Sequence, residues 1–193
     1  MITSTASTTG RPGAALTRRT LVLASLAAAC GAQASTAPPE IVAELPDARL
    51  IGSGRLRFLG LSVYDARLWA PRPPGPADWV VTPLALEIEY SRSLVGRLIA
   101  ERSIAEMRRV GDFDDEVEQR WLAALAGMLP DVQPGDRITG VQRPQHSTRL
   151  FANARPLGEL RDPEFTRLFF GIWLAPQTSE PKLRQALLGS SRG

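Results

Sequence analysis

The chain has 193 residues, with 23 Lys and Arg against 20 Asp and Glu, one His and one Cys, for a formal net charge of +3. Three of the basic residues (Arg11, Arg18, Arg19) lie in the first 34 positions, which hold no acid, so the remainder is balanced at 20 of each sign. Balance of that kind excludes a nucleic-acid partner held by a basic surface. A single His and a single Cys exclude a His/Cys zinc site, and no metal or cofactor is expected.

Arg18 and Arg19 precede an apolar run of nine residues, Leu21 to Ala29. That is about half of the roughly 18–20 apolar residues needed to span a bilayer, so no membrane span is expected. A basic start, a short apolar run and Ala32-Gln33-Ala34 have the plan of an export signal over residues 1–34. The paired arginines give it a twin-arginine character, which places the mature protein in the periplasm or otherwise outside the cytoplasm. An alternative reading makes Cys30 a lipidated first residue and so a lipid anchor. If cleavage instead follows Ala34, the mature chain has no thiol.

Residues 35–46 read as a polar, proline-containing flexible lead-in to a single domain over 47–193. Residues 49–69 read as strand or paired strands, with Gly52 and Gly54 marking a turn or bulge. After a proline-rich loop, Leu84–Tyr90 alternates, with Leu84, Leu86, Ile88 and Tyr90 on one face and Glu87 and Glu89 on the other. Residues 93–110 take a helical period capped by Ser93. The acids of Asp112–Glu116 suit the start of a second helix better than a calcium loop, because Val117 stands where such a loop needs glycine. Residues 136–141 and 148–152 read as strands, with a short return through Leu157 and Leu160. Asp162-Pro163-Glu164 opens a helix carrying Phe165, Leu168, Phe169, Ile172 and Trp173. A last helix runs from about Thr178 to Gly189. The pattern is α+β, mainly antiparallel strands with helices packed on the sheet.

Few residues carry chemistry. His146 lies among turn formers in RPQHST and is expected on a surface loop. Ser103-Ile104-Ala105-Glu106 matches a capping box; the other reading points Ser103 and Glu106 into a cavity. Phe169-Phe170-Gly171-Ile172-Trp173 reads as core. Arg57 shares an alternating face with Leu59, Leu61 and Val63, so its guanidinium must reach solvent, meet an acid or await an anionic ligand.

Several motifs then fall in a familiar order. They are Gly52-x-Gly54 with Leu56-Arg57-Phe58, Val63-Tyr64-Asp65-Ala66-x-Leu68, Pro83-Leu84-x-Leu86 leading to Tyr90-Ser91-Arg92, and Pro134-Gly135-Asp136. They continue through Phe169-Phe170-Gly171-Ile172-Trp173-Leu174 to Pro176-x-Thr178-Ser179-x-Pro181-x-Leu183-Arg184-x-x-Leu187-Leu188-Gly189. From about Leu45 to Gly189 this resembles the bacterial chalcone isomerase-like family. The resemblance implies an open-faced β-sandwich, a large antiparallel sheet covered by helices with a cleft between the layers. Enzyme members close a flavonoid ring with an arginine, a tyrosine and a threonine; relatives without that activity bind fatty acids in the cleft. By this resemblance Leu59 stands in the place of the catalytic threonine, and SLVGRLIAERSIAEM lacks the tyrosine and asparagine of the plant enzymes. The expectation is a non-catalytic, exported protein that binds a small amphipathic ligand such as a fatty acid or aromatic acid. Its site would hold Arg57 (with Arg55 and Arg49 as alternatives), Leu59, Tyr64 and Tyr90. Two alternatives stay open: an isomerase, or intramolecular lyase, acting on a chalcone-like or other unsaturated substrate, and a structural protein whose cleft is filled by side chains.

Overall fold

The computed structural model describes residues 36–189. The export-signal reading of residues 1–34 and the lipidation reading of Cys30 fall outside the described residues. Six strands form one antiparallel sheet whose spatial order is their chain order: β1 (Arg49–Phe58), β2 (Leu61–Ala70), β3 (Leu84–Tyr90), β4 (Arg137–Arg143), β5 (Ser147–Ala152) and β6 (Arg155–Leu160). Helices α2 (Gly96–Val110) and α3 (Asp115–Met128) interrupt this meander between β3 and β4, and α4 (Pro163–Leu174) and α5 (Pro181–Leu187) follow β6. None of the helices among the described residues is long and apolar enough to cross a membrane.

Alternation along the strands sorts the side chains into two layers. Ala66, Leu68, Leu86, Ile88, Tyr90, Ile138 and Leu150 face the helices and meet Ile104, Met107, Trp121, Leu125, Phe165, Leu168 and Phe170 in one buried core. On the other face Trp69, Ala85, Val141 and Phe151 form a smaller cluster around Ile41. Ile41 belongs to α1 (Pro39–Glu44), so a docked helix stands within the stretch that its prolines suggested as a flexible lead-in. Pro39 sits in the first turn, where a missing N–H costs nothing. Buried Glu40 then accepts from Thr139 Oγ1 at 2.7 Å and from Arg137 at 3.2 Å. This outer face is otherwise charged. Arg67 pairs with Glu87 and Glu89, both at 2.9 Å, and Trp69 Nε1 donates to Glu87 at 2.8 Å.

Helix starts follow local chemistry. Asp114 accepts from Val117 N at 2.8 Å and opens α3 in the acidic run, while Asp162 accepts from Glu164 N and Phe165 N and opens α4. Ser93 does not cap α2; its hydroxyl donates to Gln133, and Asp131 accepts from Gly96 N instead. The capping-box reading of Ser103 and Glu106 also gives way, since both lie mid-helix in α2 and are buried.

Of the turn or bulge expected at Gly52 and Gly54, the structure has the bulge: the β1–β2 register shifts between Leu50 and Gly52, and there is no turn. Strand β1 runs through both, and α5 lies directly against them. A Cβ at Gly52 would stand 2.1 Å from the Ala186 carbonyl oxygen, and one at Gly54 would stand 2.7 Å from Leu183 Cδ1. The chain reverses instead at Leu59 and Gly60, whose φ values of +49° and +79° make a two-residue hairpin of the primed kind that matches strand twist.

Candidate functional site

Both tyrosines of the chain lie on the helix-facing side of the sheet, at the end nearest the β1–β2 turn. Tyr64 pairs with Tyr90 across β2 and β3, and the rings meet edge to face with centroids 6.1 Å apart. Leu56 stands opposite Tyr64 on β1. From α4 above, Trp173 Nε1 donates to the Tyr64 hydroxyl at 2.9 Å. Trp173 reaches that position because Phe165, Phe169 and Trp173 succeed one another along α4: Phe165 and Phe169 stack at 5.3 Å, and Phe169 meets Trp173 edge-on at 5.7 Å. The sequence reading assigns this run to the core. The packing agrees, but the indole nitrogen is also a polar group aimed at a phenol.

Helix α2 closes the third side. Its buried face carries Ser103, whose hydroxyl donates back to the Ile99 carbonyl at 2.8 Å, and Glu106. Glu106 pairs with Arg102 through Oε1. Its Oε2 lies 3.3 Å from Arg109 Nε without hydrogen-bond geometry, and is one of two buried polar side-chain atoms left without a hydrogen bond among the described residues. The other, Gln142 Oε1, is away from the tyrosines; Gln142 Nε2 donates to the Trp79 and Thr82 carbonyls. A buried unpartnered oxygen is costly and calls for an explanation. Glu106, Arg102 and Glu180 lie close enough for their charges to act on the Tyr64 phenol.

Burial chiefly raises both phenols. Tyr64 is pushed up to about 12, with burial outweighing the Trp173 hydrogen bond that lowers it, and Tyr90 is also raised by burial. Both remain neutral donors across the physiological range. Tyr64, Leu56 and Trp173 are only partly buried, so this end of the core reaches the protein surface. The arrangement offers two phenol hydroxyls within apolar walls, one of them already accepting from Trp173 Nε1, with Glu106 turned to Arg102 at the margin. Such a setting suits orientation of a small amphipathic molecule.

Arg57 and Leu59 do not join this group. Alternation puts Arg57 with Arg55 on the outer face, where its charge acts on Asp65. Arg55 and Asp65 pair bidentately at 2.7 and 2.8 Å, holding the Asp65 carboxyl below the usual range. Leu59 occupies the turn and is 87% exposed, so it walls no cleft. Of the four candidates, Tyr64 and Tyr90 come together and the other two stand apart. His146 is an exposed loop residue.

Two grooves lie elsewhere. One of about 270 Å³ between α2 and α3 is lined by Glu101, Ile104, Ala105, Arg108, Glu118 and Leu122. Its central Arg108 is fully engaged by Glu118 at 2.7 Å, the Phe113 carbonyl at 2.7 Å and the Phe113 ring at 4.4 Å. The other, about 310 Å³, lies by Val80, Pro163 and Arg167. Neither gathers unsatisfied polar groups. No cluster of three or more His, Cys, Asp or Glu suited to a metal occurs among the described residues.

A family model described as chalcone isomerase-like matches residues 36–189. An uncharacterized protein of Haemophilus influenzae is 30% identical over 110 residues, which is 57% of this chain; the match spans about half, 54%, of that relative. The crystal structure of an Arabidopsis thaliana fatty-acid binding protein superposes with a TM-score of 0.60 over 75% of this chain and 88% of that one, at 14% identity. At that identity the likeness concerns the fold.

Proposed function

The chain belongs to the chalcone isomerase-like family, and from that premise we propose that it is an exported, non-catalytic protein that binds a small amphipathic ligand bearing an acceptor-rich head, such as a fatty acid. The observation that carries this reading is the convergence of Tyr64, Tyr90 and Trp173 Nε1 at the end of the interlayer core that reaches the surface. Two phenols kept neutral by burial donate to a carboxylate without adding a competing charge, and the acyl chain lies along Leu56. Arg102, exposed at the rim and paired with Glu106, supplies the positive charge expected near an anionic head. The fold likeness to a fatty-acid binding protein supports the same class of ligand.

Export rests on the sequence of residues 1–34. Cleavage after Ala34 removes them, and a fractionation that finds the chain shortened outside the cytoplasm supports the reading; an unprocessed cytoplasmic chain sinks it. The ligand reading is tested by native mass spectrometry of protein purified without added lipid. A retained mass matching an acyl or aromatic acid is expected. Protein that emerges empty and takes up neither class refutes it. Incubation with a chalcone is expected to leave its absorbance decay at the buffer rate.

A further inference from the structure

We propose that the tip of the β1–β2 hairpin docks onto the surface of an anionic lipid bilayer. Three large side chains within four residues project there without cover: Phe58 is 66% exposed, Leu59 87% and Leu61 58%. Val95 and Leu98, also exposed, lie where the chain leaves β3 and enters α2, at the same end of the sheet. The choice of residue at the turn is itself informative. Leu59 holds φ +49°, a conformation that favours Gly, Asn or Asp and disfavours a branched apolar side chain. Folding alone therefore favours a polar residue at this position, and solvent exposure favours one too. Leucine satisfies neither preference, so its presence here fits an apolar surrounding supplied from outside.

The neighbouring charges select the occupant. Arg57 flanks the tip on β1, and Arg92 sits beside its base, because Ser91 N donates to the Val63 carbonyl at 2.9 Å. Neither arginine has an ion-pair partner among the described residues. The acid nearest Arg57 on the outer face, Asp65, is engaged by Arg55. A convex tip of three side chains offers far less than the roughly 800 Å² per partner of a stable protein interface. A bilayer accepts a small convex apolar probe, and its phosphates take up flanking arginines.

The docking depends on the tip alone, so failure of the ligand reading at Tyr64 leaves it standing, and the two are measured separately. The test uses vesicles of phosphatidylcholine, with and without phosphatidylglycerol, co-sedimented with the chain from Ser35 onward. That compact unit omits the apolar run Leu21–Ala29. Binding to the phosphatidylglycerol vesicles is expected, weakening as salt rises. Leu59→Asn is expected to reduce partitioning by about tenfold while keeping or raising thermal stability, since Asn accepts the positive φ. Arg57→Gln is expected to reduce it by about fivefold on the anionic vesicles only. No partitioning of the parent chain, or partitioning unchanged in both variants, overturns the proposal. Concentration-dependent self-association that Leu59→Asn abolishes assigns the tip to a second copy and overturns it as well.

Discussion

Asp162 joins two helices through one carboxylate, and its removal has a cost that can be worked from the geometry. Oδ1 accepts from Glu164 N at 2.9 Å and Phe165 N at 3.0 Å, capping α4, while Oδ2 accepts from Trp121 Nε1 at 2.9 Å and ties in α3. Losing an N-cap costs about 1 kcal/mol. The Trp121 side chain is almost fully buried, and leaving its N–H unpartnered adds about 1–2 kcal/mol, at the lower part of the usual range because Asp162 is itself half-open to water. Asp162→Ala is therefore expected to lose about 2–3 kcal/mol of unfolding free energy in urea titrations followed by tryptophan fluorescence. Asp162→Asn keeps one carbonyl oxygen, which can serve the helix or the indole but not both, so about 1 kcal/mol is expected. A loss under about 0.5 kcal/mol for Asp162→Ala, or equal losses for both variants, refutes the shared-carboxylate account.

Tyr64 and Tyr90 are the only tyrosines, so tyrosinate absorbance reports on the proposed site alone. An unfolded tyrosine ionises near pH 10, whereas Tyr64 is raised to about 12 and Tyr90 is also raised. The stability associated with the neutral phenols is complete below about pH 10 and falls as pH rises towards 12, because the unfolded chain then holds fewer protons. Native protein titrating with the unfolded chain near pH 10 would contradict the burial. Gly52→Ala must displace the backbone of α5, whereas Gly54→Ala meets only a leucine methyl and the Ala186 Cβ. The first is expected to cost more than about 2 kcal/mol and to expose the C-terminal helix to proteolysis, and the second about 1 kcal/mol or less; equal costs would refute the close approach. Glu40→Ala removes the acceptor for Thr139 and Arg137. Because Arg137 keeps some solvent access and lies 3.7 Å from Glu87, a loss of about 2 kcal/mol is expected by denaturant titration, below the usual range for a fully buried pair. No change would mean that α1 is not anchored there.

The readable parts of the fold were those in which a few adjacent residues decide the outcome. Asp162-Pro163 and the acids before Val117 fix helix starts locally, and the alternation of Leu84–Tyr90 fixes the two faces of β3. The order of motifs carried the architecture. The β1–β2 turn was not readable, because Leu59 is a poor turn former and the adjacent glycines drew the turn towards positions 52–54. Those glycines answer to α5, more than 120 residues later in the chain. Once the turn moves to Leu59-Gly60, Leu59 leaves the strand and Arg57 falls on the outer face, which separates both from the tyrosines. Glu40 and Ile41 looked like a linker because only a tertiary partner, β4, reveals their burial. Trp173, read as core, shares that cause, whereas a cavity-facing Glu106 was already one of the two readings of the Ser103–Glu106 stretch. A tryptophan at helical spacing reads as core until the opposing Tyr64 is in place.

The central claim is that the Tyr64–Tyr90 end of the core binds an amphipathic acid, and titration of a long-chain fatty acid into the parent chain and Tyr64→Phe tests it most directly. Saturable binding of one molecule per chain is expected, weakened about fivefold in Tyr64→Phe, which is what one lost hydrogen bond is worth. Absence of saturable binding to the parent chain, or equal affinity in the two, contradicts the claim.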